Sequence, residues 1–334
     1  MHRTSPLSPK TTMTVAALLF VIAYAVPTIP AQARRGDDCN LAIVTHTRSG
    51  KAQPCDPQSG QAFGGKFEAT FQENQDGLTS TLALAPGYSE KQALQWFQQS
   101  AQRGDAASQV NLAVMYMNGW GVTANYGTAL HWLHAASDRG SNNQSSARAH
   151  YNLGILYLQG KGVRQDYAEA FRWFQKAADA GDTSAQVNLG YLYDQGLGLQ
   201  RDATKAAKWY RQAADSGNAL AENDLADMYL RGQGVQQNND EAFRLFQNAA
   251  KAGHTGARIK LGYMYAEGKA TPKNPAAAYA WITAVSLAGD HRGDYLIPQI
   301  EQFLTPQQIA QARQRAQELS PTNPQQLTAT ALTP

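Results

Sequence analysis

The chain has 334 residues, 43% of them hydrophobic and 16% charged, with 6 Trp, 15 Tyr and a formal net charge of +3. So aromatic a composition excludes a disordered chain, and so small a charge excludes a general attraction for nucleic acid or anionic membrane. At this length either two domains or a repeat array is expected.

His2, Arg3 and Lys10 open the chain, followed by an apolar stretch at 15–26, then Pro27, Pro30 and Ala31-Gln32-Ala33. A positive start, an apolar core and a small-x-small site read as a secretory signal peptide over residues 1–33, cleaved after Ala33. An apolar stretch this short, ended by two prolines, does not span ~30 Å of hydrocarbon as a helix. Cys39 follows Arg-Gly-Asp-Asp, which lacks the small and apolar residues that lipid attachment of a new N-terminal cysteine requires. The expectation is a mature chain without a membrane span, periplasmic or secreted. Loss of Arg3 and Lys10 leaves it near neutral.

Residues 34–88 form a segment of their own. It holds both cysteines, Cys39 and Cys55. In an oxidising compartment such a pair suggests a disulfide contributing ~3 kcal/mol, the alternative being two unrelated thiols. Residues 66–72 alternate around Phe67, Ala69 and Phe71, and residues 78–84 around Leu78 and Leu82, with Asp76-Gly77 between. Two readings stand open: a β-hairpin, or an extended arm packed on the first helix.

From residue 89 the chain repeats. Six segments align: ALQWFQQSAQRG, ALHWLHAASDRG, AFRWFQKAADAG, AAKWYRQAADSG, AFRLFQNAAKAG and AYAWITAVSLAG. Their closing glycines, Gly104, Gly140, Gly181, Gly217, Gly253 and Gly289, are spaced 36, 41, 36, 36 and 36. A second block alternates with the first. In it Leu112, Leu153, Leu189, Leu225 and Leu261 precede Tyr116, Tyr157, Tyr193, Tyr229 and Tyr265 by four residues. An i, i+4 pair lies on one helix face, so each block predicts an amphipathic helix with Leu and Tyr inward. Small residues four before each Leu (Ser108, Ala149, Ala185, Ala221, Ala257) extend that face. In the first block Ala170, Trp173, Phe174 and Ala177 share a face, while Arg172, Gln175 and Lys176 are expected toward water.

Gly-x-Gly follows four of the Tyr helices, at 119–121, 160–162, 196–198 and 232–234, where glycine suits the left-handed end of a helix. Start signals come next: Ser89 with Gln92, Asp166 with Glu169, and Asn274 before Pro275. One helix pair cannot bury its apolar face alone, so the fold class is all-α, a right-handed α/α superhelical solenoid over 89–288. The five extra residues of the 41-residue step fall at 141–145, between helices. Residues 289–320 carry the closing helices, and 321–334 (PTNPQQLTATALTP) read as a disordered tail.

The motif A-x-x-N-L-G-x-L-Y-x-x-G-x-G-V, a capping Asp, then A-x-x-W-F-x-K-A-A-x-x-G resembles the Sel-one-like repeat family, a longer-looped relative of tetratricopeptide repeats. Residues 145–181 match it nearly throughout, at Ala149, Asn152, Leu153, Gly154, Tyr157, Gly160, Gly162, Val163, Asp166, Trp173, Phe174 and Gly181. The resemblance covers about residues 89–320. Departures are local: Leu245 replaces Trp, Ala270 and Thr271 replace Gly-Val, and Asp224 and Lys260 replace Asn. The resemblance implies that the first helix of each pair lines a concave surface. There Asn111, Asn152, Asn188, Asp224 and Lys260 point into a groove, with Tyr191, Asp194, Asp227 and Tyr263 on the same wall. Related tetratricopeptide domains hold a peptide backbone with the equivalent asparagine, which offers both donor and acceptor. The competing structural role is that the Asn braces its neighbouring helix.

No motif speaks for catalysis. The sequence holds no G-x-S-x-G, S-x-x-K, H-E-x-x-H or C-x-x-C, and its G-x-G ends a helix instead of opening one after a strand. His131 and His134 form an i, i+3 pair, but their counterparts in other repeats are Gln, Arg and Lys. Both are therefore expected to face solvent and not a metal. Some relatives with a disulfide in every repeat bind or hydrolyse β-lactams; this chain has no repeat cysteines. The leading expectation is a protein-binding scaffold or adaptor serving envelope or signalling machinery, with no cofactor and no metal. Carbohydrate binding to peptidoglycan or exopolysaccharide is the alternative, resting on Trp120, which has no aromatic counterpart in the other loops and so is expected outside the core. An enzyme comes third, with no residues to speak for it.

Overall fold

The computed structural model describes residues 70–73, 80–83, 89–137 and 144–320. The expected signal peptide, the Cys39–Cys55 pair and the tail at 321–334 lie outside the described residues, as do positions 141–143 of the insertion. Gln144 already belongs to a helix.

Strands β1 (Thr70–Glu73) and β2 (Ser80–Ala83) pair antiparallel, with Thr70 opposite Ala83 and Glu73 opposite Ser80. Of the two readings of this segment, the backbone takes the hairpin. Its strands are shorter than the alternating stretches.

Helix α1 (Glu90–Gln102) stands before five hairpins: α2 (Ala106–Asn118) with α3 (Tyr126–Ser137), α4 (Gln144–Gln159) with α5 (Tyr167–Asp179), α6 (Thr183–Gln195) with α7 (Ala203–Asp215), α8 (Ala219–Arg231) with α9 (Asn239–Lys251), and α10 (Thr255–Glu267) with α11 (Pro275–Leu287). A 3-10 turn (Asp294–Leu296), α12 (Ile297–Glu301) and α13 (Pro306–Leu319) follow. From α1 to α11 every helix packs on the next, within hairpins and between them, and α13 packs on α11.

Local chemistry sets these boundaries. Ser89 and Gln92 bond reciprocally across the first turn of α1. Asp166 accepts from the Glu169 amide at 2.9 Å, and Asn274 caps α11 ahead of Pro275. Each side-chain cap satisfies a donor that the helix start leaves open, typically worth ~1 kcal/mol. In all five hairpins the residue before the second helix donates its amide to the carbonyl of the recurring tyrosine. Asn125 reaches Tyr116 O at 2.8 Å, and Asp202 reaches Tyr193 O at 2.9 Å. These bonds fix one loop geometry five times. The second glycine of each loop lies against backbone: a Cβ at Gly234 (φ +67°) would come within 2.1 Å of Ala203 O. In the last hairpin Ala270 holds the same left-handed conformation at φ 62°, which costs an L residue roughly 1–2 kcal/mol.

The core follows the Leu rows. Leu112, Leu153, Leu189, Leu225 and Leu261 are fully buried, as are the small residues four before them. The tyrosines differ from expectation: all five are half-buried, because they sit at the seams where one hairpin meets its neighbour. Their rings pack edge-on, Phe171 to Tyr193 at 5.5 Å and Phe243 to Tyr265 at 5.3 Å. Their hydroxyls reach out to Gln98 (3.2 Å at Tyr116) and Arg211 (2.7 Å at Tyr229).

The residue after each Leu sets how closely paired helices approach. A Cβ on Gly154 would lie 2.6 Å from the Phe174 ring, and one on Gly190 2.6 Å from the Tyr210 ring. Both rings are buried and cannot swing aside. In the fourth hairpin the equivalent residue is Ala226 and the aromatic Phe246, both fully buried in one cluster, so that pair accommodates an extra methyl. Alanine favours the helix over glycine by about 1 kcal/mol, whereas overpacking a fixed core costs about 1–3 kcal/mol. Overpacking therefore wins, and Gly190→Ala is expected to destabilise the protein by about 1 kcal/mol. A lower urea midpoint at unchanged slope checks this; a higher one refutes it.

Candidate interaction surface

The residues that the sequence expectation assigned to one wall lie on the first helices of the hairpins. Asn111 lies on α2, Asn152 on α4, Asn188 on α6, Asp224 on α8 and Lys260 on α10, one per hairpin. The asparagines turn partly back on their own helices. Asn152 Nδ2 donates to Arg148 O at 2.9 Å, and Asn188 Nδ2 to Ser184 O at 2.9 Å. Each bond uses one of the two Nδ2 hydrogens and leaves the carbonyl oxygen for other contacts. At Asn111 the Oδ1 is buried with no hydrogen-bond partner.

Across α6, α8 and α10 the wall becomes charged. Asp227 pairs with Lys260 across the seam between α8 and α10. Lys260 also stands 5.5 Å above the Phe246 ring. Asp224, one turn before Asp227, accepts from Asn223 Nδ2 at 3.0 Å. Burial pushes the Asp224 carboxyl up to about 7; Lys260 opposes this, Asp227 and Asp194 add to it, and Asn223 restrains it. Asp194 is held by Arg201, whose Nε donates to Asp194 O at 2.5 Å. Tyr191 is raised by burial and by Tyr167 and Asp194. Tyr263 lies under Lys269, whose Nζ is 4.9 Å from the ring centre. The fold thus brings Asp194, Asp224, Asp227 and Lys260 within electrostatic reach of one another, whereas the three asparagines stay one per hairpin.

Two expectations need correction. Trp120 is half-buried and packs against the cluster of Phe97, Leu112 and Met115, alongside Trp96 and Trp132. The loop after α2 folds it onto the first seam, so it is not a freely exposed indole. His134 does not face open solvent: its ring meets Trp173 edge-on at 5.6 Å, because α5 packs behind α3 through α4. His131 remains exposed, 5.2 Å from the Trp132 ring. Among the described residues no group of three or more His, Cys, Asp or Glu could hold a metal ion, and no helix is long and apolar enough to cross a membrane.

One polar row escaped the sequence reading. Gln109, His150, Gln186, Glu222 and Arg258, each three before the buried Leu, are themselves buried. Gln109 Nε2 donates to Ala101 O at 3.1 Å, and Arg258 Nε to Ala250 O at 3.0 Å, each closing the last turn of the preceding helix. His150 stacks on Trp173 at 5.6 Å. The signal was present: the same repeat register shows a polar residue in every copy at a position that faces inward.

Among the described residues, a serine, a histidine and an aspartate come together at the C-terminal end of the repeats. Ser286 Oγ is 3.5 Å and Asp294 Oδ2 2.8 Å from the same atom, His291 Nδ1. A relay needs the hydroxyl on one ring nitrogen and the carboxylate on the other. This exposed trio does not provide it.

Asp224 has a thermodynamic signature. Its carboxyl titrates about three pH units above its unfolded value of 3.8, so the fold favours the protonated form. Stability is lost as pH rises from about 4 through 7. Asparagine copies the neutral acid and restores the residue of the preceding three hairpins. Asp224→Asn is expected to stabilise by roughly 1–3 kcal/mol at pH 8, the gain vanishing near pH 4. Urea unfolding across that range checks it; a pH-independent difference between the proteins contradicts it.

Comparison with curated proteins found no match. Among solved structures, a protective antigen of uropathogenic Escherichia coli strains, displaying an SLR fold, is similar at 31% identity and a TM-score of 0.59. That match covers 69% of this chain and 50% of the antigen, so the chain spans about half the antigen's length. A Sel1 repeat protein from Oxalobacter formigenes is similar at 26% identity and a TM-score of 0.58, over 68% of this chain and 91% of that one. The Sel1 repeat matches six times, at residues 86–105, 106–141, 147–182, 183–218, 219–254 and 256–290. With more than half its length in these repeats, stacked as the helix hairpins described above, the chain belongs to the Sel1 repeat family.

Proposed function

We propose that this protein is an exported scaffold that holds an extended segment of a partner protein against the first-helix wall. Proteins built of Sel1 repeats generally mediate protein–protein interaction. The observation that carries the reading is the convergence of Asp194, Asp224, Asp227 and Lys260 from three successive hairpins. A strip of ionisable groups running across several repeats suits a ligand that runs along them, not a small molecule enclosed in one place. The asparagines preceding it fit the same ligand. The oxygens of Asn152 and Asn188, each with an Nδ2 hydrogen already engaged, are acceptors for the amides of a passing backbone.

Export rests on the N-terminal pattern of a positive start, an apolar core and Ala31-Gln32-Ala33. The partner is then a component of the envelope or a protein exported with it. In the oxidising compartment so reached, Cys39 and Cys55 form a disulfide.

Capture from an envelope extract tests the wall directly. With Asn152→Ala/Asn188→Ala as bait, the amount of partner recovered is expected to fall about tenfold relative to wild type. Each lost hydrogen bond to an extended chain contributes roughly 0.5–1.5 kcal/mol. Undiminished capture by a variant of unchanged helical content would exclude the wall as the binding surface. Intact mass of the exported protein tests the other half of the reading, with Arg34 as the first residue expected.

A further inference from the structure

Four of the first helices begin with one backbone geometry and three kinds of cap. The residues before α2, α6, α8 and α10 are Asp105, Asp182, Asn218 and His254, with φ between −67 and −74° and ψ between 109 and 112°. Each accepts a hydrogen bond from the amide three residues on, at 3.0, 2.8, 3.0 and 3.1 Å respectively. At α10 the acceptor is His254 Nδ1, bonded to the Ala257 amide. An imidazole nitrogen accepts only through its lone pair, so this cap exists only while the ring is neutral, with the proton on Nε2. The other three caps accept through side-chain oxygens.

We propose that His254 makes the α9–α10 seam an acid-sensitive joint: protonation removes the cap of α10 and loosens the last hairpin while the earlier ones hold. Burial of the ring opposes its protonation, and on balance the charged groups facing it oppose it further. On α10 itself Lys260 brings a positive charge, and beyond α11 Arg292 brings another, the latter held by Asp290 at 2.6 Å. From α8 the charged group is Asp227, whose carboxylate is already engaged by Lys260. Also on α8, the neutral amide of Asn223 stands near the ring, since a Cβ on Gly256 would lie within 4 Å of both groups. An imidazolium at a helix N-terminus also opposes the helix dipole. Burial is the largest of these effects, followed by Lys260 and Arg292, and together they push the ring down to about 4 from its usual 6.5; Asp227 opposes them.

The sign follows from linkage. A base depressed in the folded state contributes stability in full above its unfolded pKa, here about 6.5, and loses it as pH falls toward about 4. Asp224 titrates in the opposite sense over an overlapping window, so the whole-protein midpoint mixes the two. The joint is therefore read locally. The proposal holds whatever the wall binds.

The test uses the full chain and His254→Asn, which installs the cap that α8 already carries at Asn218. Amide exchange is followed at pH 7.0 and 4.5, each corrected for intrinsic rates. In the wild type, opening of the first turn of α10, read at Ala257, is expected to rise roughly fiftyfold between the two conditions. In the variant it is expected to change by less than about fivefold, and exchange in α4 and α6 should match between the proteins. Equal rises in both proteins overturn the proposal. A proton titration of the His254 ring in the wild type stands independently of whether the variant folds. A midpoint near 4 to 5 supports the joint, and one at or above 6.5 overturns it.

Discussion

Helix hairpins of this length leave one apolar face bare, and the array persists because each neighbour covers it. How closely they can approach is decided at the residue after each buried leucine. There Gly154 and Gly190 let the Phe174 and Tyr210 rings lie where a methyl would stand. Ring against bare helix backbone sets the separation of the paired helices in the second and third hairpins, and stacking of like hairpins gives the array its repeated step. Every longer-range feature of the protein depends on that step being the same from one hairpin to the next.

A constant step turns equivalent positions into rows. One row, from Gln109 to Arg258, is buried and polar, and at its two ends it satisfies the last-turn carbonyls that a helix otherwise leaves open. Its neighbour carries Asn three times and then Asp224 and Lys260, on the same backbone. The scaffold therefore separates two tasks. Leucine, alanine and glycine hold the pitch, while residues one position away vary without disturbing it. Charge enters the wall in the later hairpins through side chains that carry little of the packing.

Caps show the same division. Asp105, Asp182, Asn218 and His254 perform one structural task in one conformation. Their chemistries respond differently to acid, so hairpins that look alike in coordinates need not be equally stable under all conditions. The last hairpin combines the histidine cap, the left-handed Ala270 and Lys260, which reaches back to Asp227 of the fourth hairpin, three departures from the repeat within one unit.

The sequence by itself determined the helices, their ends and the leucine core. Those features are set by interactions spanning three or four residues, such as Ser89 with Gln92 or Leu153 with Ala149, and a repeated register reports them several times over. Tertiary structure decided which of two readings residues 70–83 adopt, that the tyrosines lie half-buried at seams, that Trp120 folds onto the first core and that His134 rests on Trp173. It also brought Asp227 to Lys260 and placed Asp194 and Asp224 within their field. These partners lie some three dozen residues apart, and they meet only because successive hairpins stack against one another. A periodic pattern names the face a residue occupies; the neighbour across that face depends on how far the next helix stands, which local sequence does not encode.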